Sequence, residues 1–241
     1  MSRLFDGNGD YISFTNVPPA VGDLTAFSVS FSLIRDAMAG YRDVVWLGGS
    51  YGTNHNFLVQ HDTSGYMVVA VGWNSNVGRW SITNPDANWH NHVITYASVD
   101  TSSDPLWYQD GVSQTVTERS TPSGSRIATT TDEIIVGAQF GAAGEYWLGK
   151  IAELGIWNRV LTSDEADIIG KGASPLTLRG GLVFYSPILG RFGPEPDLIS
   201  NSVGAVTNAV PFGHPKISYP FKPNSTYTRK NINMKRAIPW V

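Results

Sequence analysis

No cysteine occurs in the 241 residues. That excludes a disulfide scaffold, a cysteine-ligated zinc site and a thiol nucleophile. Charge is also scarce, at 15% of residues, against 12% aromatic residues and 25 glycines. This balance fits short strands joined by tight turns better than amphipathic helices or a disordered chain. The longest mostly apolar run, Tyr66–Trp73, spans eight residues and is too short to cross a bilayer as a helix. The opening Met1-Ser-Arg-Leu-Phe-Asp-Gly7 has no apolar stretch, so no secretory signal is expected.

Acidic residues are absent from one end. Residues 1–210 carry 11 basic and 20 acidic residues, net −9. Residues 211–241 carry six basic residues (Lys216, Lys222, Arg229, Lys230, Lys235 and Arg236) and no acidic one. A basic arm seeks an acidic surface. Here that surface is expected to be protein, either the chain's own body or a neighbouring copy. Aromatics and prolines interleave with the cations and want pockets, and no nucleic-acid motif accompanies them.

What is present reads as strands. Ala26–Leu33 alternates Phe27, Val29, Phe31 and Leu33 on one face with serines on the other, the period of a half-buried strand. Similar segments are Tyr11–Phe14, Val44–Leu47, Phe57–Asp62, Tyr66–Trp73, His92–Ala97, Leu106–Gln109, Val112–Val116, Glu133–Val136, Trp147–Trp157 and Gly181–Ser186. Thr63-Ser-Gly65 and Asp110-Gly111 supply hairpin turns. Thr162-Ser-Asp-Glu165 is a capping box that predicts a short helix ending near Gly170. From about Gly190 prolines recur and periodicity fades, which predicts an extended arm over 191–241 following a domain over 1–190. Phe212, Tyr219, Phe221, Tyr227 and Trp240 are its apolar anchors, and Arg229, Lys230, Lys235 and Arg236 its guiding charges.

Four segments together resemble the laminin-G-like, concanavalin-A-like jelly-roll domains. They are Leu4–Ile12, Trp89–Tyr96, Leu106–Gly111, and a last one running from Ile135–Ala138 through Leu148–Trp157 to Asn158–Thr162. The resemblance covers roughly residues 1–190 and departs at Ile151-Ala-Glu153, where the family carries Ile-Asp-Glu. It implies an all-β fold: a two-sheet antiparallel jelly-roll β-sandwich with one short helix, to which this chain adds the C-terminal arm. The runs Tyr185–Gly190, Pro196-Asp-Leu198 and His214-Pro215 are similar to continuations of such domains in phage and environmental viral sequences.

Chemistry can then be tested motif by motif. Laminarinase-type glycosidases of this fold need two carboxylates on one strand face. Ala152–Trp157 offers only Glu153, so a structural role and no enzymatic activity are expected. Asp6-Gly-Asn-Gly-Asp10 opens like an EF-hand loop, but Tyr11 and Val17 stand where that loop needs Gly and Glu, so it is read as a turn. Many laminin-G-like domains hold calcium at a sandwich edge; its ligands do not map onto residues here, and no cofactor or metal residue is assigned. Eight tryptophans suit sugar stacking. Trp73 and Trp80 flank an amide-rich loop, so Trp73, Asn74, Asn76 and Trp80 form the candidate glycan site. The expected function is a non-enzymatic phage virion surface or structural protein, a capsid decoration or fibre-associated component, bearing a glycan-binding sandwich. The alternatives are a free carbohydrate-binding lectin and, less favoured, a glycoside hydrolase.

Overall fold

The computed structural model describes residues 2–17, 21, 24–37, 39–49, 55–83, 85–127, 133–142, 144–190 and 193–219. In chain order the strands are β1 (Ser2–Asp6), β2 (Tyr11–Thr15), β3 (Ala26–Arg35), β4 (Arg42–Gly48), β5 (His55–His61), β6 (Tyr66–Val71), β7 (Gly78–Thr83), β8 (His90–Ala97) and β9 (Leu106–Gln109). There follow β10 (Val112–Ser113), β11 (Thr117–Ser120), β12 (Glu133–Val136), β13 (Leu148–Trp157), helix α1 (Ser163–Gly170), β14 (Leu182–Ser186), β15 (Glu195–Pro196), β16 (Val203–Thr207) and β17 (Val210–Phe212). They form two antiparallel sheets. The first runs β10-β9-β8-β3-β13-β1-β17, with β14 beside β13; the second runs β11-β7-β6-β5-β4-β12-β2-β16-β15.

The period-two pattern sets what lies between the sheets. Phe27, Val29, Phe31 and Leu33 of β3 all face the core, as their alternation predicts. Phe27 stacks on Phe57 of the opposite sheet at 4.7 Å, and Phe14 meets Phe184 edge-on at 5.0 Å. Such pairs add about 0.5–1.5 kcal/mol each beyond the area they bury. Asp6-Gly-Asn-Gly-Asp10 is the predicted turn: Asn8 N donates to Asp6 Oδ1 and Asp6 N to an Asp10 carboxylate oxygen, at 2.8 and 2.7 Å.

The serines of β3 are not exposed, contrary to the half-buried reading. Ser28, Ser30 and Ser32 are at most 2% exposed because α1 and the segment after β17 cover the outer face of the first sheet. Small residues let that cover approach closely. A Cβ on Gly155 would sit 3.0 Å from the Pro175 ring, and Ser28 Oγ accepts from Leu161 N at the entry to α1. The helix carries its predicted capping box, Thr162 with Glu165, and Glu165 also takes both terminal nitrogens of Arg159 at 2.6 and 2.7 Å. Trp157, Leu161, Ala166 and Ile169 form a second apolar cluster beneath it.

The domain boundary near Gly190 needs correction. β16 pairs with β2 and β17 with β1, so residues 195–212 complete both sheets. Glu195, 1% exposed, forms a 2.7 Å ion pair with Arg3 of β1 and accepts from Leu189 N and Gly190 N. Asp197 accepts from the backbone N–H groups of Tyr185, Ile199 and Ser200. Proline density here marks irregular backbone within the sandwich: periodicity fades because strands of two to five residues are too short to display it.

Candidate functional site

Trp73 and Trp80 do not form a sugar platform. They are 4% and 0% exposed, and both belong to the core between the sheets. Trp80 lies against Tyr96 with ring centroids 5.2 Å apart, and its Nε1 donates to Asp104 Oδ1 at 2.6 Å. The physical reason is legible in β7, where Gly78–Thr83 alternates and sends Trp80 and Ile82 inward while Arg79 and Ser81 face out. Asn74 Oδ1 accepts from Ser125 N at 2.9 Å, which ties the loop down; a Cβ at Gly124 (φ +89°) would strike that same oxygen at 2.0 Å. Asn76 is exposed, and its Nδ2 donates to Ser120 Oγ and Thr121 O at 3.0 and 2.6 Å.

Asn76 instead forms one wall of a cleft of about 630 Å³ on the outer face of the second sheet. Pairing registers place Val68 opposite Ser81, Ala70 opposite Arg79, Leu58 opposite Ala70, and Gln60 opposite Val68. This outer face therefore carries Arg79 and Ser81 on β7, Val68 on β6 and Gln60 on β5. Arg119 reaches over from β11: its Nε donates to Ser81 Oγ at 2.7 Å and its guanidinium carbon lies 4.2 Å from the centre of the Tyr66 ring. Tyr41, 39% exposed, stands at the rim and joins this cleft to a smaller one of about 260 Å³ lined by Trp46, Gln60, Arg79, Gln139 and Glu145. Beyond it the face closes over: Trp46, Leu58 and Ile135 are buried, with Phe140 and Tyr146 packed on them.

A buried carboxyl next to two of the smaller cleft's lining residues, Gln60 and Glu145, is electrostatically unusual. Asp43 is fully buried, and its pKa is pushed well above the usual carboxylate range, first by burial and then by the neighbouring Glu145 carboxylate. The Gln60 amide links it outward, donating to Asp43 Oδ1 (3.3 Å) and accepting from Arg79 Nη2 (2.9 Å). Burial and the Glu145 carboxylate both disfavour the charged form of Asp43. Asp62, at the other end, accepts from Ser64 N and Tyr66 N at 2.9 Å each and shapes the hairpin loop.

Glu153 sits elsewhere, on the first sheet, at a bulge in β13 where its φ is +58°. It is 3% exposed. Its Oε2 accepts from Tyr185 Oη at 2.8 Å, and its Oε1 from Tyr219 Oη at 3.2 Å, with His214 Nε2 3.1 Å away. The carboxylate is enclosed by its own chain, as its structural reading expected. Among the described residues no group of three or more His, Asp or Glu side chains converges as a cation site.

The anchors expected in the arm divide. Phe212 belongs to β17, 43% exposed, with Lys150 Nζ 4.6 Å from its ring centre. Tyr219 reaches Glu153, and Ser218 pairs with Ala173 just beyond α1. Both anchors are thus engaged on the chain's own sandwich. Phe221, Tyr227, Arg229, Lys230, Lys235, Arg236 and Trp240 lie outside the described residues.

A family model described as the concanavalin A-like lectin/glucanases superfamily matches residues 6–167. The chain belongs to this family. No curated protein matches the chain in sequence. Among solved structures, the lectin/glucanase fold seen here is similar to that of a proposed carbohydrate binding protein from Bacteroides ovatus, with TM-score 0.65 and 17% identity over 90% of this chain. The chain spans 61% of that structure's length. The heptameric SAP-like pentraxin of Limulus polyphemus follows, with TM-score 0.57 and 13% identity, covering 86% of this chain and 95% of the pentraxin. The CBM40 of a Ruminococcus gnavus IT-sialidase, solved with α2,3-sialyllactose, has TM-score 0.53 and 10% identity over 70% of this chain and 98% of its own.

Proposed function

We propose that this member of the lectin/glucanase superfamily binds carbohydrate without cleaving it, in the cleft between Asn76, Tyr41 and Arg79. The cleft itself carries this reading: an aromatic ring at the rim, the apolar Val68 and Val77, and amide, hydroxyl and guanidinium groups among them form the mixed lining that saccharides need. Similarity to structures named as a carbohydrate binding protein and a CBM40 supports it. Enclosure of Glu153 by Tyr185, Tyr219 and His214 supports the non-enzymatic part, since a catalytic carboxylate must reach substrate. A glycan array is the test, with Tyr41→Ala and Asn76→Ala expected to weaken binding at least tenfold. Loss of neither, or release of reducing ends from β-glucan or galactan, refutes the reading.

The finer part is a role on a phage particle, as a capsid decoration or fibre-associated component. The viral-like runs at 185–190, 196–198 and 214–215 support it, together with the tail. Residues 220–241 carry five basic residues and no acid. They follow directly from Ser218 and Tyr219, which are tied to the outer face of the first sheet, away from the cleft. A surface protein needs that division: one face for the ligand, the other for the particle. The expected partner is protein, a neighbouring copy or another virion component. Native mass measurement distinguishes this from a free lectin, because a soluble monomer that ignores removal of 220–241 belongs to the second class.

A further inference from the structure

The cleft holds two arginines in an arrangement that a neutral sugar does not require. Arg79 and Ser81 are two residues apart on β7 and share its outer face, and Arg119 Nε is bound to Ser81 Oγ. The two guanidinium groups are therefore anchored about one pleat apart, roughly 7 Å along the strand. Among the described residues neither is ion-paired with a carboxylate. Arg79 reaches the neutral amide of Gln60, and Arg119 is held by a hydroxyl and a tyrosine face. The nearby carboxyls do not serve as partners. Asp62 accepts from loop backbone, and the buried Asp43 is separated from Arg79 by the Gln60 amide. Arginines without a carboxylate partner in the lining of a cleft are notable in a body with net −9 over residues 1–210, where carboxylates are available as partners. Arg119 is an exposed residue held through its Nε, and a guanidinium held there can offer its planar fork to a carboxylate through two parallel hydrogen bonds.

Resting on the carbohydrate-binding reading of this cleft, we propose that its ligand is an acidic saccharide, docked through a single sugar carboxylate between Arg79 and Arg119. The rest of the body narrows the class. Its excess negative charge repels extended polyanions, so one locally placed carboxylate is accepted, while nucleic acid and densely sulfated chains are not. Tyr41 at the rim supplies the stacking surface for the sugar ring that carries the acid.

The test uses the full chain and ligand pairs that differ in charge alone. An otherwise neutral oligosaccharide ended by one galacturonate is compared with its methyl ester, and sialyllactose with its own methyl ester, by calorimetry at low and physiological salt. The acidic member of a pair is expected to bind at least tenfold more tightly. Arg119→Ala and Arg79→Ala should each abolish that preference, with Arg119→Lys intermediate because it keeps the charge and loses the fork. Circular dichroism and melting of each variant confirm that the sheet is intact. Equal binding of charged and neutral members, or a preference untouched in both alanine variants, overturns the acidic-ligand proposal and leaves the carbohydrate reading standing. Failure to bind any saccharide on a broad array overturns both.

Discussion

The Tyr219 hydroxyl donates to Glu153 Oε1 at 3.2 Å across 66 positions of chain, and so ties the last described residue to a bulge in the middle of a central strand. The same carboxylate draws in Tyr185 and His214. Removing one member should not be equivalent to removing the centre. Tyr219→Phe deletes one neutral-to-charged hydrogen bond, at about 1.5–3 kcal/mol at most. Glu153→Ala leaves the His214 imidazole without its counter-ion in a closed site, and should cost about 3–5 kcal/mol. Urea unfolding measures both. Hydrogen exchange should show Ser218 N and Ser174 N losing protection first in Tyr219→Phe, because they hold the strap that Tyr219 ends. Equal destabilisation by the two variants would mean that Glu153 is not the hub.

Three histidines should titrate in two opposite directions. Burial drives the His92 pKa down to about 3, with the charge of His90 adding to it; its Nδ1 accepts from Trp107 Nε1. At His90 burial opposes the charged ring, but the carboxylates of Asp110 and Asp86 outweigh it and raise the pKa. At His214 burial again opposes, and Glu153 with the carbonyls of Pro187 and Pro215 raises the pKa. A lowered pKa means that His92 contributes stability above the unfolded value near 6.5, lost as pH falls from there toward 3. His90 and His214 contribute stability below about 6.5 that is lost as pH rises through their raised values. Two-dimensional NMR of the imidazole nitrogens should find His92 neutral at pH 5 while His90 and His214 are charged. His92→Gln should flatten the acid limb of the stability curve, and His214→Gln the alkaline one.

Chain-shortening should separate the sandwich from its tail. Removal of 220–241 should leave melting temperature unchanged. Removal of everything after Gly193 takes away β15, β16 and β17, uncovers the edges of β1 and β2, and leaves Arg3 buried without Glu195. That form should be insoluble or unfolded. A stable, soluble 1–193 fragment would restore the boundary that the proline spacing suggested.

Trp80 should report on the core and not on ligand. Trp80→Ala should cost about 3–5 kcal/mol, the usual range for emptying a core tryptophan site. Its fluorescence should be shielded from iodide and unmoved by saccharide. Quenching of Trp80 by a bound sugar would put the ligand on the wrong side of the sheet for the cleft described above.

Most of the architecture was legible because it rests on local rules. Alternation in Ala26–Leu33, the Asp110-Gly111 turn with both residues at positive φ, and the Thr162–Glu165 box each specify structure within ten residues. The family resemblance supplied how the strands connect. The ligand site was read less well, for a reason of scale. Arg79 could have been found, since the pattern Arg79-Trp80-Ser81-Ile82 already assigns the tryptophan to the interior. Arg119 could not, because it meets Arg79 only through the pairing of β11 with β7, and Thr117–Ser120 shows no period. The C-terminal strands were missed likewise. Asp197 and Glu195 organise that region through backbone contacts, which leave no trace in hydropathy.

The partners of the first two strands have a consequence for synthesis. β1 lies between β13 and β17, and β2 between β12 and β16. Once translated, β1 and β2 therefore find no hydrogen-bonding neighbour until β12 and β13 follow them, and their outer neighbours β16 and β17 come later still. Such long loops slow folding through the entropy of closing them. Nascent chains carry unpaired, apolar edges while the residues between β2 and β12 are made, when they are open to self-association. Yield should therefore rise with slower elongation, lower temperature or a holding chaperone, and ribosome-bound chains arrested before residue 212 should remain protease-sensitive from their first strand onward.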